Sequence, residues 1–138
     1  MSNERAKLYS DAENYPDVAK TALLECFRQQ PDCIYDSEGI MKKGLIVRHL
    51  LLPQATFDAI NIFEWTLKNT PTAVFSLMSQ YMPLGKASEY KIINRKITDR
   101  EYEKVIAVII ESGFENCYIQ ERNSASDKFI PLFDFSGV

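Results

Sequence analysis

The run Gly44-Leu45-Ile46-Val47-Arg48-His49-Leu50-Leu51-Leu52-Pro53 decides how this chain folds. Apolar residues fill both alternating sets of positions, the pattern of a strand buried on both faces in a parallel sheet. Gly44 opens the run, and Pro53, which has no N–H to give to a ladder, closes it. Alternation puts Arg48, Leu50 and Leu52 on one face and Val47, His49 and Leu51 on the other.

Downstream, Phe57, Ile60, Phe63, Glu64 and Leu67 form a stripe at helical spacing, with Trp65 beside it, and predict a helix over 56–68. Asn69-Thr70-Pro71 stops it. Residues 73–78 read as a second apolar strand. A polar, irregular stretch, residues 79–95, follows and is longer than most connections. Thr98-Asp99-Arg100-Glu101 is a capping box that starts a further helix. Its expected buried stripe is Tyr102, Val105, Ile106, Ile109 and Ile110, and Gly113 suits a left-handed end. Residues 116–120 read as a third strand.

Upstream, Pro16 suits the first position of a helix. Val18, Ala19, Ala22, Leu23, Cys26 and Phe27 follow at helical spacing, up to Pro31. Ile34-Tyr35 and Ile40-Met41, joined through Asp36-Ser37-Glu38-Gly39, predict a small hairpin. Strands joined through helices pair in parallel with right-handed crossovers. The chain is therefore α/β, one domain over 1–138. Three parallel strands are few for a complete domain, so the expectation is an arc of a barrel or half of an open sheet. The apolar tail from Phe129 to Phe135 is expected to dock on the body.

The 138 residues carry a net charge of −3, with 46% hydrophobic and 25% charged residues. That balance gives no electrostatic grip on nucleic acid or an anionic membrane. No apolar run is long enough to span a bilayer, and the first residues hold no apolar signal core. The expected location is cytoplasmic. Cys26, Cys33 and Cys117 with the single His49 match no short-loop zinc spacing and read as reduced, partly buried thiols.

Arg48 carries the most information among the polar residues. A guanidinium keeps its charge when buried, and burying it without a partner costs several kcal/mol. It either pairs with a carboxylate or faces a polar cavity with a ligand, and the sequence leaves both open. His49 reads as a satisfied core or interface histidine. Ser79-Gln80-Tyr81-Met82-Pro83 follows a parallel strand, where ligands bind in such architectures, although a plain polar connection reads the same way. Gly85-Lys86 is no phosphate loop, because Gln80 and Ala87 stand where a Gly and a Ser or Thr are needed.

Three blocks together resemble the later half of radical S-adenosylmethionine proteins related to the pyruvate formate-lyase activating enzyme. They are Lys7 to Tyr15, Gly44 to Pro53, and Ser76 to Pro83 followed by Asn94-Arg95-Lys96-Ile97-Thr98. The resemblance covers nearly the whole chain. It implies the C-terminal part of a partial (β/α) barrel. It also implies a 4Fe–4S cluster on a Cys-x3-Cys-x2-Cys motif that binds S-adenosylmethionine and generates a 5′-deoxyadenosyl radical. In the activating enzymes the substrate is a glycine of a partner glycyl radical enzyme. Carried over residue by residue, Arg48 and the segment Leu77, Ser79, Gln80 and Tyr81 match the cofactor-binding part, with the segment along the adenine. Met82 stands where such enzymes often carry a His. The cluster motif and the Gly-Gly-Glu segment are missing, so neither cofactor is expected to bind stably to this chain alone. Its expected partner is the missing N-terminal half, or a second copy. The competing reading is a non-catalytic binding module that keeps a barrel arc as an interaction surface.

Overall fold

In a computed structural model, which describes residues 2–120, the chain is an α/β structure. Helix α1 spans Asn3–Ser10 and α2 spans Tyr15–Gln29. A hairpin of β1 (Ile34–Tyr35) and β2 (Met41–Lys43) follows, paired antiparallel. Then come β3 (Ile46–Leu50), α3 (Thr56–Asn69), β4 (Val74–Met78), a 3₁₀ turn at Gly85–Glu89, α4 (Asp99–Glu111) and β5 (Cys117–Ile119).

The three later strands form a parallel sheet in the order β3-β4-β5, which follows the chain. Register runs Arg48 opposite Ser76 and Phe75 opposite Cys117. Each crossover is a helix, as parallel neighbours require. Among the described residues the sheet does not close into a barrel.

Helices α3 and α4 cover one face of this sheet. Val47, Leu51, Phe75 and Leu77 meet Ala59 and Phe63 from α3, and Tyr102, Val105 and Ile109 from α4. The rings of Phe63 and Phe75 pack edge to face at 5.3 Å, a favoured aromatic geometry. The opposite face carries Ile46, Arg48 and Leu50 of β3, all exposed.

The capping box forms as the sequence requires. Thr98 Oγ accepts from the Glu101 N–H at 3.2 Å, and Glu101 Oε2 accepts from the Thr98 N–H at 2.8 Å. Gly113 takes a left-handed φ of 68°. Gly44, at φ 128°, has a second constraint: a Cβ there would stand 2.7 Å from Cys33 Sγ, so only glycine lets the hairpin pass this close to β3.

The structure corrects several sequence-based expectations. Helix α1 was not expected; it buries no residue, so no apolar period announces it. The stripe of α2 is largely unburied: Val18 is 64% exposed, Ala22 and Cys26 are exposed, and only Pro16 is buried. In α3, Phe57 is 72% exposed, and the inner positions belong to Ala59, Phe63 and Thr66. In α4, Ile110 lies outside the stripe. In each helix the true inner face is set by where the sheet lies, and a broad apolar stripe exceeds it. The tail from Phe129 to Phe135 lies outside the described residues.

Candidate functional site

The carboxyl ends of β3 and β4 lie beside two neighbouring cavities. Parallel α/β architectures bind ligands at this end because the loops leaving the strands meet there. The larger cavity has a volume of about 470 Å³ and lies between α1, the start of α2, the end of β3 and α3. The smaller, about 300 Å³, lies over the end of β4 and the 3₁₀ turn. Tyr9, Ser10 and Leu52 line both, so the two adjoin.

The loops are held firmly at this end. Glu101 is the hub. Arg95 donates to both of its oxygens, at 2.7 and 2.8 Å, and the Gln54 N–H donates to Oε1 at 2.7 Å. The loop between β3 and α3 is thereby tied to the N-terminus of α4. These donors, the Arg95 guanidinium foremost, hold the Glu101 carboxyl well below the usual carboxylate range. Gln54 has a φ of 57°, an unfavourable conformation for a residue with a Cβ, and Arg5 donates to its carbonyl at 2.8 Å. Arg5 also pairs with Asp58 at 3.0 Å, which anchors α1 to α3. Tyr9 meets Tyr90 edge to face at 5.3 Å, so α1 also touches the loop after β4.

The residues singled out from sequence fall in different places. Arg48 lies on the sheet face turned away from α3 and α4, and no carboxylate among the described residues pairs with it. The side chain of Leu77 is fully buried in the helix-facing core. Its carbonyl receives the Gln120 N–H. Ser79 is buried; its Oγ lies beside the Tyr102 phenol and makes no hydrogen bond of good geometry. Gln80 is half-buried. Tyr81 lines the smaller cavity, donates to the Ile93 carbonyl at 2.8 Å, and has its phenol pKa raised by burial. Ser79, Gln80 and Tyr81 thus gather at the carboxyl end of β4, while Arg48 sits at mid-strand on β3.

His49 contributes more than its sequence reading suggested. Its ring stacks on Phe75 at 6.3 Å and forms part of the wall of the larger cavity. Nε2 is buried without a hydrogen-bond partner. Burial pushes its pKa down to about 4, so the imidazole is neutral at pH 7. Its position on the helix-facing side of β3, one residue from Arg48, was the signal available in sequence.

The cysteines do not make a cluster site. Cys26 is exposed on α2, Cys33 lies beside Gly44 and donates to the Thr72 carbonyl at 3.1 Å, and Cys117 is on β5. No group of three His, Cys, Asp or Glu residues gathers among the described residues. A 4Fe–4S cluster needs a close set of thiolates, and these residues do not fit it. No helix among the described residues is long and apolar enough to cross a membrane.

The chain is 35% identical over 118 residues to an uncharacterized protein of Methanocaldococcus jannaschii. That match takes in 85% of this chain and 31% of the relative, so the chain spans about a third of the relative's length. No family model matches the chain, and no solved structure matches it.

Proposed function

We propose that this chain is the later part of a radical S-adenosylmethionine partial barrel of the pyruvate formate-lyase activating type. Its role in that reading is to position S-adenosylmethionine, while an N-terminal half supplies the cluster cysteines. The observation that carries the reading is the one-sided sheet. Three parallel strands run in chain order, α3 and α4 cover one face, and the other face holds Arg48 among apolar side chains. A barrel arc has this form, with its inner face awaiting the remaining strands.

The free edge of β3 supports the same reading. Leu51 N–H donates to Met78 O at 3.0 Å and Leu45 O accepts from Val74 N–H at 2.8 Å, so odd-numbered residues of this run face β4. The main-chain groups of Ile46, Arg48 and Leu50 then face the other edge, where no described strand pairs. A relative about three times as long leaves room for the strands that would pair there.

Within this reading Arg48 offers a fixed positive charge on the inner face. Ser79, Gln80 and Tyr81 give the strand end its polar surface, with Tyr81 oriented by its bond to Ile93. S-adenosylmethionine supplies the radical chemistry of such enzymes when it is bound to their cluster. The partner of the chain is the N-terminal half, or a second copy where that half is missing. A glycyl radical enzyme is the partner of the whole protein. The location is cytoplasmic.

The test uses a polypeptide joining this chain to its natural upstream sequence, loaded anaerobically with iron and sulfide and then reduced. It is expected to convert S-adenosylmethionine to 5′-deoxyadenosine. Arg48→Ala is expected to raise the KM for S-adenosylmethionine by about tenfold, the scale of one lost charged contact. An upstream sequence without a Cys-x3-Cys-x2-Cys motif, or a loaded protein that leaves S-adenosylmethionine intact, overturns the reading. The described arrangement favours a second reading, a non-catalytic binding module, only if that upstream motif is missing.

A further inference from the structure

We infer that the larger cavity is a binding site for a small, uncharged, largely apolar molecule with a planar ring. Arg48 is not part of its lining, and the site does not depend on the cofactor reading above. Its volume, about 470 Å³, lies within the roughly 300–1,000 Å³ of small-molecule sites. Its position beside the carboxyl end of β3 is where this architecture places ligands.

The walls set the ligand's chemistry. Tyr9, Tyr15 and His49 present rings, and Leu50, Leu52 and Ile62 present aliphatic surface. Planar rings pack well against such walls. Among the described residues two charged groups border the cavity, Arg5 and Asp58, and they form an ion pair at 3.0 Å in which Arg5 Nη1 makes no hydrogen bond of good geometry. Arg5 spends a further donor on the Gln54 carbonyl. His49 is neutral at pH 7. A charged ligand would therefore lose its water and find no free counter-charge, a cost that an apolar wall does not repay. An uncharged ring loses little and gains the buried area.

Helix α1 makes the site as well as bordering it. Arg5, Ala6 and Tyr9 close the cavity on one side, and α1 has no buried residue of its own. Filling the cavity gives α1 the apolar contact it otherwise lacks. The ligand is then expected to raise the melting temperature as well as to bind.

The test compares three probes that share one ring: indole, indole-3-acetate and tryptamine, titrated into the 138-residue chain and followed by NMR chemical shifts. Indole is expected to saturate, with shifts centred on Tyr9, Leu52 and Ile62, and to bind at least about tenfold tighter than either charged probe. Ala6→Phe places a ring in the space and is expected to remove indole binding while the chain stays folded. Ala107→Phe, on the exposed side of α4, is expected to leave binding unchanged. No saturable shift with indole, equal affinity for the charged probes, or indole binding that survives in Ala6→Phe overturns the inference.

Discussion

Helices α2 and α4 both carry an apolar stripe in sequence and end in different surroundings. α4, over 13 residues, sets Tyr102, Val105 and Ile109 against the sheet. α2 is longer, 15 residues, and buries only Pro16, with Val18 and Leu24 exposed. Both have an apolar stripe. The difference is the partner: α4 packs on the sheet through Tyr102, Val105 and Ile109, while α2 meets α3 with Lys20 over the Trp65 ring at 5.9 Å and, among the described residues, leaves Val18, Ala22 and Cys26 of its stripe exposed. An amphipathic stripe states which side of a helix gains from burial, and the rest of the fold decides whether burial happens.

That contrast makes graded predictions. Phe63→Ala, at the centre of the α3–sheet contact, is expected to cost about 3–5 kcal/mol in urea unfolding. A cost below about 1 kcal/mol would mean that this layer is no better packed than α2.

Glu101→Ala removes the capping box and the anchor of Gln54 together. It is expected to cost about 2–3 kcal/mol at pH 7. The carboxyl is held low in the folded chain, so its contribution is present above the unfolded carboxylate pKa of about 4.3 and fades as pH falls below it. Glu101→Gln should therefore flatten the stability profile below about pH 4.3. An unchanged acid limb would place the hub's worth elsewhere.

His49 acts in a higher window. Its folded pKa of about 4 lies below the unfolded value near 6.5, so the unfolded chain takes up a proton first. Stability is full above about pH 6.5 and is expected to decline by about 2 kcal/mol as pH falls toward 4. His49→Leu should remove that slope, and a slope that persists contradicts the burial of the imidazole. The smallest effect is on α2: Val18→Ala is expected to fall within about 0.5 kcal/mol of the parent chain. A cost near that of Phe63→Ala would mean that the stripe is covered in solution.

The strand at Ile46–Leu50, inside the expected 45–52, the stop at Pro71 and the capping box at Thr98 were legible because each rests on a local rule that tertiary contacts did not oppose. The parallel order followed from the helical crossovers. Helix α1 was not legible, since its signals are Ser2 as an N-cap, Glu4 in the first turn and Lys7 in the last, with no buried apolar stripe among them. The exposure of Phe57 and Ile110 was hidden because periodicity gives a stripe wider than the face the sheet covers. The larger cavity draws its walls from α1, the start of α2, the end of β3 and α3, segments that share no spacing in sequence. His49 could be placed on a face, but its unpartnered Nε2 depends on what surrounds it.

Amide hydrogen exchange along β3 tests the central claim, an arc with an unpaired leading edge. The account predicts alternation in the 138-residue chain: the amides of Val47, His49 and Leu51, which face β4, exchange slowly, and those of Ile46, Arg48 and Leu50 exchange fast. Joined to the N-terminal half proposed above, the chain should show the fast set slowed to match. Equal and strong protection of all six amides in the 138-residue chain by itself would contradict the account, because the edge would then already have its neighbour.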